Sequence, residues 1–228
     1  MSSNFHPDGT LFIVSGPSGA GKTTLINRVR DQVEPLGISL YFSVSHTTRA
    51  ARAGEVHGKN YFYVSPDEFE AMAARGEFLE CAHVHRHRYG TSRQEVVDRL
   101  NGGLDVILDI DYQGAQQIDH DPDLKQRSLN VFIFPPTLET LEQRLRDRGL
   151  NTELEIETRL QKAIDEIDAG KDFYDYVIIN DDLNEATECL KAAIIAKKLQ
   201  TKTALEAIAS MAERFKEEQR NGRITRGH

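Results

Sequence analysis

The chain has 228 residues, with 28 Lys and Arg against 36 Asp and Glu and a formal net charge of −8. That length suits one large α/β core carrying inserts, and the acidic balance excludes a general nucleic-acid binder, which needs a cationic footprint to release counterions. No stretch approaches the roughly 18 consecutive apolar residues of a membrane span, and residues 1–10 hold neither a basic segment nor an apolar run, so a soluble, cytoplasmic protein is expected.

The first apolar run, residues 11–15, reads as a short buried strand. It leads into Gly16-Pro17-Ser18-Gly19-Ala20-Gly21-Lys22-Thr23, which fits G-x-x-x-x-G-K-[ST], and residues 22–33 are helix-compatible. Strand, glycine loop and helix start thus stand in the order of a loop whose backbone N–H groups wrap phosphates while its lysine reaches the β and γ positions. The candidate ATP contacts are Gly16, Pro17, Ser18, Gly19, Ala20, Gly21, Lys22, Thr23 and the adjoining Thr24. An ordinary glycine-rich turn with a surface lysine is the bland alternative.

Pro35 and Gly37 break the helix near Glu34, and residues 39–44 form a second apolar strand. Residues 45–59 are polar, basic and glycine-bearing, longer than an ordinary connection, as binding loops often are. Residues 60–64 make an aromatic strand; Ser65-Pro66-Asp67-Glu68 then starts a helix to about Arg75, with Ser65 as N-cap. A strand over 78–84, a helix over 92–100 and an apolar strand over 104–110 follow. The last of these ends in Asp109-Ile110-Asp111, and carboxylates at the end of a buried strand lie where open α/β sheets bind ligands. Residues 112–120 are helical, and Pro135-Pro136 stops a strand over 129–134. Thr137 caps a helix reaching Arg148 before Gly149, a charged helix spans 153–169, a last core strand spans 176–179, and one or two long helices run over 183–219. This order implies a mostly parallel sheet flanked by helices, an α/β fold of the P-loop NTPase type. The two cysteines, Cys81 and Cys189, lack metal or redox spacing, and each fits the part of a small buried residue.

The polar loop reads Ser45-His46-Thr47-Thr48-Arg49-Ala50-Ala51-Arg52-Ala53-Gly54-Glu55-Val56 and continues through Gly58 to Tyr61. With this S-x-T-T-R-x-x-R-x-G-E-V-x-G-x-x-Y run, the chain resembles the guanylate kinases over essentially residues 10–190. From the residues alone, two arginines three apart can fork onto one phosphate, with tyrosine hydroxyls donating to its remaining oxygens, or can lie on a solvated loop. The resemblance implies that Arg49, Arg52, Tyr61 and Tyr89 hold the phosphate of GMP, and that Glu80 and Thr91 read guanine with Ser45 and Asp111 assisting at the base edge. Guanine presents N1–H and the N2 amino group beside O6, so a carboxylate and a hydroxyl complement it. Adenine would turn an acceptor toward Glu80, a buried mismatch that discriminates by on the order of 10⁴.

The resemblance further implies an ATP:GMP phosphotransferase of purine nucleotide metabolism, with Lys22, Arg49, Arg144, Arg148 and Arg159 as catalytic residues. Thr23 is the expected Mg²⁺ ligand, with Asp109 holding the ion directly or through its waters. Arg144 and Arg148 lie four apart on one helix face and Arg159 on the next helix, as lid arginines that close over the transferring phosphoryl group; Arg146, off that face, reads as a solvated charge. The expected organisation is a core of residues 1–44, 96–136 and 169–228, a small mixed α/β GMP-binding insert over 45–95 and a helical lid over 137–168.

The chain departs from the family at Ala51, usually proline, and at His85-Arg86-His87-Arg88, where small and aromatic residues are usual. On one extended strand His83, His85 and His87 would share a face, a spacing a metal could use, although no fourth ligand is evident. Two rival readings are a catalytically inactive guanylate-kinase-like interaction module, which typically loses the phosphate loop kept here, and a GTP-hydrolysing switch, which wants an N-K-x-D motif not found here. Ile195, Leu199, Leu205, Ile208, Met211 and Phe215 recur at partly helical spacing and fit either packing on the protein's own core or homo-oligomer formation through the C-terminal helix.

Overall fold

The run Leu11–Ser15 is apolar along both of its faces, a pattern that a strand satisfies only inside a sheet covered on both sides. It forms β1 (Leu11–Ser15), buried along its whole length. The computed structural model describes residues 9–84, 86–147, 149, 152–169 and 173–220, with residues 84 and 201–208 described by their backbone alone. In chain order β1 is followed by α1 (Lys22–Val33), a 3₁₀ turn at Glu34–Leu36, β2 (Leu40–Phe42), β3 (His46–Thr47), β4 (Phe62–Tyr63), α2 (Pro66–Ala74), β5 (Phe78–Val84) and β6 (His87–Ser92). Then come α3 (Arg93–Asn101), β7 (Asp105–Asp109), α4 (Tyr112–Asp119), α5 (Pro122–Arg127), β8 (Ser128–Phe134), α6 (Leu138–Asp147), α7 (Glu153–Ala169), β9 (Tyr176–Ile179), α8 (Leu183–Lys198) and α9 (Thr201–Arg220).

Five strands form the core sheet in the order β2-β7-β1-β8-β9, every pairing parallel. The two-residue period of β1 divides the core. Phe12 and Val14 face α1 and α8, where Leu25, Ile26, Val29, Leu190 and Ile194 pack. Leu11 and Ile13 face α3 and α4, with Val96, Leu100, Ala115 and Ile118. The chain leaves β1 toward β2 and β7 on one side and later crosses to β8 on the other. This reversal opens a crevice at the carboxyl ends of the strands, where ligands of open α/β sheets sit. The loop after β1 and the carboxylates after β7 both open into it.

A second, mixed sheet has the order β4-β3-β6-β5: β3 and β4 are parallel, while β6 runs antiparallel to both β3 and β5. Ser65 caps α2 as its sequence suggests, accepting from the Glu68 N–H at 3.2 Å. Phe69 of α2 stacks on Phe78 of β5 at 4.5 Å between ring centroids. The helices α6 and α7 carry a small core of their own, Leu141, Leu145, Ile156 and Ala163.

Several expectations are corrected. The alternating histidines do not share one strand, because the chain turns back between β5 and β6, pairing Val84 with His87 and His83 with Arg88. Folding back lets β6 bond to β5 on one side and β3 on the other, two ladders that a single long strand would forgo. His85 lies outside the described residues, and among those described no group of three or more His, Cys, Asp or Glu could hold a metal ion. Neither cysteine is fully buried: Cys81 is half-buried and Cys189 exposed. Ile195 packs against the core, but Met211 and Phe215 of α9 are 47% and 60% exposed, so these two do not serve it. The side chains of Leu205 and Ile208 lie outside the described residues. Among the described residues no helix is long and apolar enough to cross a membrane.

Candidate active site

The glycine loop is fixed by close approaches that forbid side chains. Gly16 leaves β1 at φ +140°, and a Cβ there would lie 2.3 Å from the Ile133 carbonyl oxygen of β8. Gly21 sits at φ +93°, with its would-be Cβ 2.3 Å from Nδ2 of Asn180, the residue after β9. Asn180 uses that nitrogen to donate to the Ala20 carbonyl at 2.7 Å, pinning the loop to the sheet. Among the described residues no side chain caps α1, so its first N–H groups can receive an anion, favoured further by the helix dipole. Lys22 Nζ donates to the Gly16 carbonyl at 2.6 Å and lies 3.6 Å from Asp109 Oδ1. Thr23 Oγ1 donates to Asp109 Oδ2 at 2.6 Å. A hydroxyl and a carboxylate this close are hard oxygen donors that could hold Mg²⁺.

From this loop a cavity of about 300 Å³ extends to the second sheet, lined there by Ser45, Arg49, Arg52, Glu55, Tyr61, Glu80 and Tyr89. Arg49 forks onto Glu55, with Nη1 to Oε2 at 3.0 Å and Nη2 to Oε1 at 2.9 Å, while Nη1 also donates to the Ala50 carbonyl. These bonds occupy the Nη1–Nη2 edge of the guanidinium, and the Tyr89 side chain interacts with the same group. Glu55 also accepts from the Arg52 backbone N–H at 2.8 Å and the Tyr63 hydroxyl at 2.9 Å. Its carboxyl is held down at about 2, chiefly by the Arg49 bond. The rings of Tyr61 and Tyr89 meet edge-on at 5.8 Å. Burial pushes the Tyr61 hydroxyl above its usual value, so it stays protonated as a donor.

At the far end Glu80 of β5 is 4% exposed and accepts from Thr91 Oγ1 of β6 at 2.6 Å. The N-terminal turn of α4 covers it: a Cβ on Gly114 would lie 2.5 Å from Glu80 Oε2. Burial pushes the Glu80 carboxyl up to about 7; the Thr91 bond opposes that rise and the charge of Asp111 adds to it. Asp111 caps α4, accepting from the Gly114 N–H at 3.1 Å.

One cavity therefore gathers Ser45, Arg49, Arg52, Tyr61, Glu80, Tyr89, Asp109 and Asp111 with the glycine loop, and Thr91 joins it through Glu80. Of the arginines expected to form a lid, Arg159 reaches the loop, donating to Ser18 Oγ at 2.7 Å. Arg144 instead donates to the Asn180 carbonyl at 2.9 Å and does not line the cavity. Arg148 lies outside the described residues. Arg146 pairs with Glu142 and Glu153 on the surface, in keeping with a solvated charge. Sequence reasoning gave no role to Glu55, Lys162, Glu166 or Asn180. The spacing Arg159, Lys162, Ala163, Glu166 is i, i+3, i+4, i+7, one helical face, and would have marked the two α7 residues as companions of Arg159.

A family model described as guanylate kinase matches residues 8–197. The guanylate kinase of Desulfotalea psychrophila is 45% identical over 194 residues, covering 85% of this chain and 92% of that protein. That of Geobacter metallireducens is 44% identical over 211 residues, covering 91% and 97%. Among solved structures, the guanylate kinase of Anaplasma phagocytophilum superposes with a TM-score of 0.68 at 31% identity, over 86% of this chain and 90% of that one. With its parallel core sheet, mixed second sheet and a match across most of its length, the chain belongs to the guanylate kinase family.

Proposed function

We propose that this chain transfers the γ-phosphoryl group of ATP to GMP, giving ADP and GDP. The observation that carries the reading is a single cavity with a phosphate-type cluster at each side: the glycine loop with Lys22, and Arg49, Arg52, Tyr61 and Tyr89 facing it. The buried pair Glu80 and Thr91 at the far end complements the guanine edge.

The residues divide the work. Gly16 to Thr24 cradle the ATP phosphates, and Lys22 exchanges its bond to the Gly16 carbonyl for the β and γ oxygens. Arg49 offers its Nε edge to the GMP phosphate while Glu55 fixes the other edge, so the guanidinium is oriented before the nucleotide arrives. Arg52, Tyr61 and Tyr89 supply further donors, and Ser45 and Asp111 assist Glu80 and Thr91 at the base. Thr23 and Asp109 would hold Mg²⁺, which when bound neutralises charge on the β and γ phosphates. Arg159, beside Ser18, neutralises charge on the transferring group, and Arg144 and Arg148 join it when the lid shuts. No residue is needed as general base, because a loose phosphoryl transfer depends on alignment, charge and exclusion of water.

The insert of residues 45–95 and the lid of residues 137–168 close on the core of residues 1–44, 96–136 and 169–228 to exclude that water. Exposed Met211 and Phe215 support pairing of subunits through α9; a monomer mass in sedimentation would speak against it. The kinase reading is tested by chromatography of the products from ATP, Mg²⁺ and GMP. Wild type should form GDP, and Lys22→Met, folded by circular dichroism, should lose at least about 10³-fold in kcat. No GDP from the wild type, or undiminished GDP from the variant, would refute it.

A further inference from the structure

The lid touches the core cavity at both ends, through different side chains. Arg159 of α7 reaches Ser18 of the glycine loop, and Arg144 of α6 reaches Asn180, the residue bonded to that loop. Lys162, one turn beyond Arg159, points to the opposite end: its Nζ donates to Asp111 Oδ2 at 3.2 Å and lies 3.5 Å from Glu166 Oε1. The lysine side chain is 26% exposed and that of Asp111 13%, so the pair is partly sheltered from solvent and screened less than a surface ion pair.

The contact continues inward without a gap. The second oxygen of Asp111 fixes the first turn of α4 through the Gly114 N–H, and Gly114 packs directly on the carboxylate of Glu80, which Thr91 holds. A displacement of Asp111 is therefore felt at the guanine-reading pair. Glu166 adds a constraint, since it is 4% exposed and its Oε2 has no hydrogen-bond partner among the described residues. Lys162 pairs with both Asp111 and Glu166; without it only the Lys22 charge would still act on Glu166, and the two carboxylates would repel each other and an incoming nucleotide anion more strongly.

We infer that Lys162 is a positioning residue that, through Asp111, ties the lid to the guanine-reading end of the cavity and so sets the affinity for the acceptor nucleotide rather than for ATP. The inference rests on the GMP kinase reading above. Lys162 touches neither reacting phosphate in this account; it holds Asp111, and Asp111 holds the α4 turn that backs Glu80.

Steady-state kinetics on the full chain test this, varying GMP at saturating ATP and then ATP at saturating GMP. Lys162→Met keeps the length of the side chain and removes its charge. It should raise KM for GMP about tenfold, the worth of one charge-assisted hydrogen bond, with KM for ATP and kcat within about twofold of wild type. Lys162→Arg, which restores the cation, should recover most of the GMP affinity. Asp111→Asn keeps an N-cap for Gly114 and removes the partner charge. In that background Lys162→Met should add less than about a twofold further rise, because contacts acting through one partner are not additive. Equal rises in both KM values, a fall in kcat alone, or a full tenfold effect in the Asp111→Asn background would overturn the inference. Wild type that makes no GDP would sink the kinase reading itself, whereas active wild type with an indistinguishable Lys162→Met variant would sink this inference alone.

Discussion

Lowering the pH from 8 to 6.5 should weaken GMP binding about fourfold through Glu80 alone. Burial pushes this carboxyl up to about 7, against the Thr91 bond and with the help of the Asp111 charge at the head of α4. Lys162 and Glu166 of α7 lie beyond Asp111 and set its surroundings. Guanine turns two donors toward this site, so only the ionised carboxylate accepts both. With a value near 7, about nine-tenths of Glu80 is ionised at pH 8 and about a quarter at pH 6.5, which gives the ratio of about four. The GMP phosphate, whose second ionisation lies near pH 6, contributes only about 1.3-fold over the same interval if its dianion binds. Calorimetric titration of GMP in two buffers of different ionisation enthalpy would read both the affinity and the proton released by Glu80. Glu80→Gln should bind GMP more weakly and lose that part of the pH slope. The same shift acts on the empty protein: the folded value lies above the unfolded 4.5, so the stability from the bound proton is full below about pH 4.5 and lost as the pH rises through 7. Glu80→Gln should therefore melt above wild type at pH 8, with the gap closing toward pH 5. A wild-type affinity that stays flat between pH 8 and 6.5, or a Glu80→Gln variant that keeps the full slope, would refute this account of base reading.

Other consequences are equally open to measurement. Gly21→Ala puts a methyl group where Asn180 Nδ2 stands and forces a side chain onto φ +93°; chemical denaturation should show a loss of about 2–4 kcal/mol from strain and the broken Ala20 bond, and a variant as stable as wild type with unchanged ATP affinity would discount the loop geometry. Glu55→Gln turns an amide donor against Arg49, the Arg52 N–H or the Tyr63 hydroxyl, and should raise KM for GMP at least about tenfold while sparing ATP. Since the Glu55 carboxyl is held at about 2, it should add no pH dependence to GMP binding above pH 4. Small-angle scattering should show a smaller radius of gyration when ATP-site and GMP-site ligands are both bound than in the free chain; identical curves would count against closure of the two inserts.

The core was readable in the sequence because its strands are short apolar runs, β1 stopped by Gly16, β7 ending in Asp109 and β8 stopped by Pro135, and the loop after β1 carries its own spacing rule. β6 was not, since His87 and Arg88 hide an alternation that becomes plain only when Tyr89, Gly90 and Thr91 pair with β3 and β5. The six-residue α5 was passed over although Asp121 and Pro122 supply a cap and a first helical residue, with Asp121 Oδ1 accepting from two backbone N–H groups. In the site, Ser45, Arg49, Arg52 and Tyr61 of the long irregular motif were legible as residues of one cavity, whereas Glu55 of the same motif was not. Lys162 and Glu166 were less plain: on a charged helix they look like part of a solvated face, and only their helical spacing from Arg159 hints that α7 packs them over the cavity. The burial of Glu80 was equally hidden, because it comes from Gly114, more than thirty positions along the chain, which is bare enough to lie against the carboxylate.

The central claim is a two-nucleotide site whose acceptor end reads guanine, and an ADP-release assay with GMP, AMP, UMP and CMP as competing acceptors tests it most directly. Turnover should be robust with GMP and, for AMP, kcat/KM should be lower by on the order of 10⁴, since adenine turns an acceptor toward the Glu80 carboxylate. Robust turnover with AMP or UMP and none with GMP would contradict it.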